Sequence, residues 1–227
     1  MTNYTQWKSL VDLQEYPAIP DYVAYRLDSR SPSGFDDGDE ITSWECDVIN
    51  ESVSGTATYR TGGVGDNPYI NFDGSTDGFD NTSDFANLSE PMGYITIVDH
   101  PDQEQGIITG ASNQIAARDS DRFWTRQTDT AGDFINVPPS FNEPTVYGAR
   151  QKEGDNRLIK NDEEEVATRE GSVDDFEALG VGYDHVNDRR YYEGRLYLLE
   201  VHNEGLSDTE LLDRVIEVAN EFGISFD

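Results

Sequence analysis

The sequence predicts a mainly β fold, a sandwich or barrel of many short strands closed by one helix near its C-terminal end. Three observations predict it. Short runs of alternating apolar and polar residues recur along the chain, as a sheet with one wet face requires. Clusters of Asp, Gly, Ser and Asn separate them, such as SPSGFDDGDE and FDGSTDGFDNTSD. Such clusters favour tight turns, because Gly tolerates positive φ and Asp or Asn can bond their own backbone. One stretch near the end has helical periodicity instead.

The elements follow in chain order. Residues 1–20 read as an arm or lead-in: Trp7, Leu10, Val11 and Leu13 suit a short helical turn, which Pro17 and Pro20 end. Strands are expected at 22–27, 41–45, 69–72, 93–98, 106–109, 122–127, 134–137, 145–150, 157–161, 165–169 and 194–202. The run at 93–98 is apolar on both faces, with Tyr94, Thr96 and Val98 on one side and Ile95 and Ile97 on the other, which places it centrally. In the last run, Leu196, Leu198 and Glu200 are expected to alternate with Tyr197, Leu199 and Val201. The helical stretch is LSDTELLDRVIEVANEFGI, residues 206–224, with its regular part at 208–222. Ser207 is an N-cap and Glu210 completes a capping box. Leu211, Leu212, Val215, Ile216, Ala219 and Phe222 form the apolar stripe, and Gly223 is the stop. The helix is expected to cover one edge or end of the sandwich.

Composition bounds the function. The 227 residues suffice for a full hydrophobic core, and 12 Tyr, 10 Phe and 3 Trp help to fill it. Asp and Glu number 46 against 16 Lys and Arg, a formal net charge of -30. Self-repulsion of that size strains a compact state in dilute buffer. At molar salt the Debye length falls to about 3 Å and most of the repulsion is screened. Lys8, Lys152 and Lys160 are the lysines; a carboxylate-rich surface with so few lysines predicts a protein built for strong salt. The charge argues against nucleic acid as a partner, because phosphate contacts need basic patches. No stretch approaches the ~18 apolar residues of a membrane span, so no membrane partner is expected, and the N-terminal residues carry no export signal. Cys46 stands alone and reads as a small half-buried strand residue. The sequons at Asn3, Asn50, Asn81 and Asn87 read as chance matches.

Three passages carry a family resemblance: VAYRLDSRSPSGFDDGDEITSWECD, PYINFDGSTDGFD and GRLYLLEVHNEGLSDTELLDRVIEVANEFGI. Together, in this order, they resemble the laminin-G-like branch of the concanavalin A-like lectin/glucanase superfamily. The closing strand, LSD and helix are the most specific part. The resemblance covers roughly residues 22–226 and implies a two-sheet antiparallel jelly-roll sandwich, with Trp44 in a structural position. It implies a domain at 21–227 that binds carbohydrate or protein, of the kind also found in tail fibres, spikes and capsid decorations of tailed viruses. Fold alone does not choose among these roles.

Candidate chemistry is sparse. Glycosidases of the superfamily set carboxylates along one strand as Glu-x-Asp-x-x-Glu. The nearest segment, Glu200-Val201-His202-Asn203-Glu204, lacks the middle Asp and falls on the final strand, so it reads as an ordinary exposed face in an acidic chain. No enzyme activity is expected. His100, His185 and His202 are isolated, with no zinc spacing. Asp73, Asp77, Asp80 and Asp84 share one turn-rich segment and could supply calcium ligands, but no EF-hand pattern is present and no cofactor is predicted. The glycines at 62, 63 and 65 and at 180 and 182 lack the lysine and helix of a phosphate loop, and no Gly-x-Ser-x-Gly elbow occurs.

Sugar binding calls for exposed aromatics beside planar polar groups. Trp124 and Arg126, with Tyr147 and Arg150 from a nearby strand, are the candidate carbohydrate-binding residues; Trp124 also reads as a core or edge residue. Arg189, Arg190, Tyr191 and Tyr192 form a basic-aromatic patch. It suits a subunit interface, or equally a loop that balances local acids. The expectation is a homo-oligomeric structural protein of a virion from a virus of halophilic archaea, assembled in the host cytoplasm. Its partners would be copies of itself, other virion proteins and host cell-surface glycans. A cellular carbohydrate-binding module is the alternative.

Overall fold

A computed structural model of the protein describes residues 18–81, 88–100, 105–109, 114–118, 122–126, 134–175, 179–183 and 191–226. Most of the arm expected at 1–20 lies outside them. The elements are β1 (Val23–Asp28), β2 (Glu40–Glu45), β3 (Ser52–Arg60), β4 (Tyr69–Asp73), β5 (Gly78–Asn81), β6 (Met92–Asp99), β7 (Gln105–Thr109) and β8 (Gln114–Arg118). There follow β9 (Arg122–Arg126), β10 (Phe134–Val137), β11 (Thr145–Gln151), β12 (Asn156–Lys160), β13 (Glu165–Arg169), β14 (Leu179–Val181), β15 (Glu193–His202) and α1 (Asp208–Glu221).

The expected mainly β class is what the chain forms. Every ladder is antiparallel, and they join into one path: β10-β9-β8-β7-β14-β5-β3-β4-β15-β6-β11-β12-β13. Strand β4 is the link between two layers. It pairs with the end of β3 on one side and with the first half of β15 on the other, while β1 takes the second half of that same edge of β15. The path folds back on itself, so β10 lies against β12 and β13. The result is a sandwich, and its inner core includes Trp44, Phe72, Phe79, Met92, Phe123 and Tyr147.

A second core lies on the outer face of the β15–β6–β11–β12 layer, beneath α1. There Ile95, Ile97, Val146, Ile159 and Leu198 meet Leu211, Val215, Val218 and Phe222 of the helix. This explains why β6 is buried at every position: one face meets the other sheet and the other meets the helix. The capping box forms as the sequence predicts, with Ser207 accepting from the Glu210 amide and the Glu210 carboxylate accepting from the Ser207 amide.

All eleven expected strands are present. Strands β3, β5, β8 and β14 were not anticipated. Two phase expectations need correction. A bulge between Leu196 and Leu198 shifts the register of β15 against β6, so Leu196 joins Leu199 and Val201 in the inner core while Tyr197 and Leu198 both join the helix side. The buried face of α1 is centred on Leu211, Arg214, Val215 and Val218, and Ile216 is half-buried. The displacement brings the Arg214 guanidinium under the helix, where it meets β15.

Candidate functional site

Beyond the C-terminal end of α1 the outer face of the same layer turns polar. The helix-side core ends at Tyr69 and Tyr197, which Phe222 meets edge-on at 6.3 Å from Tyr197. Past that point the cross-strand register lines up polar residues. Arg195 of β15 stands opposite both Asn71 of β4 and Asp99 of β6, so three adjacent strands contribute one row. Glu193 faces Asp73 in the next row. With Asn142 from the loop before β11, these residues line an open cleft of about 350 Å³.

The cleft is held from below. The Tyr192 hydroxyl, fully buried, lies 3.0 Å from the Asp99 carbonyl and 3.1 Å from the Arg195 carbonyl, tying β6 to β15. Gly194 has φ +147, and a Cβ there would stand 2.5 Å from the Asp99 carbonyl oxygen and 2.7 Å from the Tyr192 hydroxyl. The two strands can approach at the cleft floor only over a glycine. Arg195 is oriented by two contacts. Its guanidinium lies 4.9 Å from the Tyr69 ring centre and 3.4 Å from the Asp99 carboxylate. Burial pushes the Asp99 carboxyl above its usual range, with Arg195 opposing that shift. Asp73 goes the other way. Burial would raise it, but its carboxylate accepts from the Ser75 hydroxyl and the amides of Thr76, Ser75 and Asp77, which hold it well below the usual range. The cleft thus offers amides, carboxylates and one guanidinium on a rigid strand scaffold, the groups that bind hydroxyl-rich ligands.

The aromatic site expected from the sequence is located elsewhere and faces inward. Trp124 is 4% exposed and Tyr147 is 1% exposed, with the Tyr147 ring stacked on Phe123. Arg150, also buried, clamps the start of the helix: it donates to the Leu206 carbonyl at 2.9 Å, to Asp208 at 2.7 Å and to Asp155 at 2.6 Å. These three are packing and clamping residues, not a surface platform: Tyr147 faces the inner core, Trp124 is buried in its strand, and Arg150 projects from the other face of β11 beneath the start of the helix. The side chain of Arg126 lies outside the described residues. Of the expected interface patch, Arg189 and Arg190 also lie outside them. Tyr191 is half-buried and stacked on Tyr183, and Tyr192 is the floor of the cleft, which corrects its assignment to a subunit interface.

Phe35 is the one aromatic among the exposed large apolar side chains of the described residues. It leans on Tyr59 at 5.9 Å and borders a second groove of about 370 Å³ with Ser31, Ser43 and Asp47. Asp80 accepts from the Tyr183 hydroxyl, and Asp84 lies outside the described residues. Among the described residues no group of three or more His, Cys, Asp or Glu is placed to hold a metal ion. No helix among them is long and apolar enough to cross a membrane.

Glu200 is the largest departure from expectation. It is not on an exposed face but fully buried beneath α1. One carboxylate oxygen accepts from Arg26 at 2.6 Å and from Arg214 at 2.5 Å; the other accepts from Arg214 at 3.1 Å and lies 3.3 Å from His202 Nε2. Arg26 also donates to Asp28 at 2.9 Å and to Glu221 at 2.7 Å, and Arg30 pairs with both of those acids. Three guanidiniums thereby face three carboxylates. Burial alone would raise the Glu200 carboxyl, but hydrogen bonds from His202 and Arg214 and the Arg214 charge bring it to about 2. That direction is opposite to the raised value a glycosidase acid needs, and both oxygens are occupied.

No family model matches the sequence, and no curated protein matches it. Solved structures do share the fold. A sialidase carbohydrate-binding module, CBM40, of Ruminococcus gnavus, bound to α2,3-sialyllactose, aligns at TM-score 0.54 and 13% identity, over 65% of this chain and 95% of that one. Domain 4 of the extracellular arabinanase AbnA of Geobacillus stearothermophilus, in complex with arabinotriose, aligns at TM-score 0.53 and 14% identity, over 84% and 97%. The Trypanosoma rangeli sialidase in complex with sialic acid aligns at TM-score 0.60 and 9% identity, over 89% of this chain but only 33% of that one. At such identities the likeness establishes the fold alone, an antiparallel β-sandwich.

Proposed function

We propose that this protein is a non-catalytic carbohydrate-binding module whose ligand sits in the cleft formed by Asn71, Asp73, Asp99, Asn142, Glu193 and Arg195. The observation that carries the reading is the row Asn71–Arg195–Asp99, which sets planar polar groups from three adjacent strands at one opening. The fold supports it, since the similar domains of the sialidase and the arabinanase were solved with sugars bound. Glu200 supports the non-catalytic part, because it is locked in a structural network. A glycan array probed with the full chain at about 2–4 M salt, where repulsion is screened, tests the reading. Binding is expected, and Asn71→Ala or Arg195→Ala should weaken it about tenfold, the value of one hydrogen bond to a charged or planar group. Phe35→Ala should leave it unchanged. Loss of binding with Phe35→Ala alone would move the site to the second groove, and no binding to any glycan would overturn the reading.

We propose further that the module is a surface component of a virion from a virus of halophilic archaea. Its support is the net charge of -30 and the resemblance to domains that recur in such particles. Parts of symmetric particles form closed oligomers. Light scattering at about 2–4 M salt should give a defined homo-oligomer. A strict monomer would favour a free-standing cellular module.

A further inference from the structure

We propose that the cleft selects glycans built from uncharged or amino sugars and rejects those ending in an acidic sugar such as sialic acid. The inference rests on the carbohydrate-binding reading above and names the ligand class for that same site. Its basis is the balance of groups that a ligand would touch.

The lining holds three carboxylates, Asp73, Asp99 and Glu193, against one guanidinium, Arg195. That guanidinium is already engaged on two sides, lying 3.4 Å from the Asp99 carboxylate and 4.9 Å from the Tyr69 ring centre. An acidic sugar would need a free, fork-shaped donor pair, the geometry by which arginine recognises carboxylates. Taking Arg195 for that purpose would strip a nearly buried Asp99 of its counter-charge. Carboxylates and amides are instead good acceptors and partners for hydroxyl and ammonium donors.

Strong salt sharpens this selection. With a Debye length of about 3 Å at molar salt, the repulsion from the rest of the acidic surface disappears. Groups in direct contact are screened much less, so the acids lining the cleft decide which sugars enter. The rows also differ in freedom. Asp73 spends one oxygen on three backbone amides of its own turn. Glu193 and Asp99, on neighbouring strands, are therefore the two acids left to meet the ligand.

The test is a glycan array in which each neutral oligosaccharide is paired with its sialylated counterpart, probed with the full chain at about 3 M salt. Neutral or amino-sugar members should bind at least about tenfold better than their sialylated partners, since a like-charge contact costs at least that much. A double variant, Glu193→Gln with Asp99→Asn, should narrow that gap severalfold, read as the ratio of neutral to sialylated binding within the variant, because neutral binding through the altered cleft itself weakens. Asp73 is left intact because it holds the turn. Equal or better binding of sialylated glycans by the unaltered protein would overturn the selection and leave the carbohydrate-binding reading standing. A gap that the double variant does not narrow would overturn the assignment of the selection to these acids. Absence of binding to every member would overturn both.

Discussion

Glu200→Ala is expected to destabilise the protein by about 3–5 kcal/mol, the usual consequence of removing one partner from a buried ion pair. The substitution leaves the Arg26 and Arg214 guanidiniums beneath α1 with their shared acceptor gone. Arg26 keeps Asp28 and Glu221, and Arg214 keeps Glu217 at 2.7 Å and Glu221 at 3.6 Å, but the tie that Arg214 makes from the helix to β15 is lost. Chemical denaturation of the variant and the parent at one fixed high salt concentration measures the difference. The loss should persist at every salt concentration where both proteins fold, because buried pairs are screened far less than surface ones. A loss below about 1 kcal/mol, the range of a surface ion pair, would mean that Glu200 is not buried as described.

The same residue gives the second large effect. Glu200 falls from 4.5 to about 2 on folding, and Asp28 is also lowered, its burial outweighed by hydrogen bonds and charge from Arg30 and Arg26. A carboxyl lowered on folding adds stability above its unfolded value, and that stability is lost as pH falls through the folded one. Between about pH 4.5 and pH 2 the protein should therefore lose stability on the order of 3 kcal/mol from Glu200 alone. Asp47, Asp77 and Asp99 are raised, chiefly by burial, so they act in the opposite sense as pH falls. Molar salt is the condition for the measurement, because it mutes the relief of surface repulsion that acid would otherwise bring. Glu200→Gln should flatten this acid limb relative to the parent. An acid limb of equal slope in both would assign the pH dependence to other carboxylates.

Sequence and structure agree where the information is local. The capping box of α1 needs only Ser207 and Glu210, three residues apart, and forms as expected. The two-faced apolar pattern of β6 placed it centrally, between the second sheet and the helix. Strand β3 shows a weak alternation because Val53, Gly55 and Ala57 are small and Tyr59 is the one large inward residue. Strand β14 has three residues, too few to show a period. The bulge in β15 inverted the faces assigned to its two ends, since one extra residue flips every side chain after it. The sites depended on information that no local pattern holds. Glu200 looked like one more surface acid because its partner Arg26 lies 174 residues away, across the β1–β15 ladder. The cleft row Asn71–Arg195–Asp99 likewise exists only once the register of β4, β15 and β6 is fixed. Trp124 is buried, as its reading as a core or edge residue expected, whereas Tyr147 was expected on a sugar platform and the inner core took it.

The ladder of β1 with β15 leaves the other edge of β1 to be accounted for. That edge is sealed by the segment following β2. The Arg26 amide donates to Cys46 Sγ at 3.5 Å, and the Asp47 amide donates to the Arg26 carbonyl at 2.9 Å. The lone cysteine thus serves as an acceptor for an open strand, and burial pushes its thiol up, keeping the sulfur protonated and inert. An unsealed strand is a template on which another chain can polymerise. In strong salt a highly charged protein loses the long-range repulsion that keeps copies apart, so safety against that fate has to come from short-range geometry. The Cys46–Asp47 seal is such a safeguard, and it works equally well at any ionic strength.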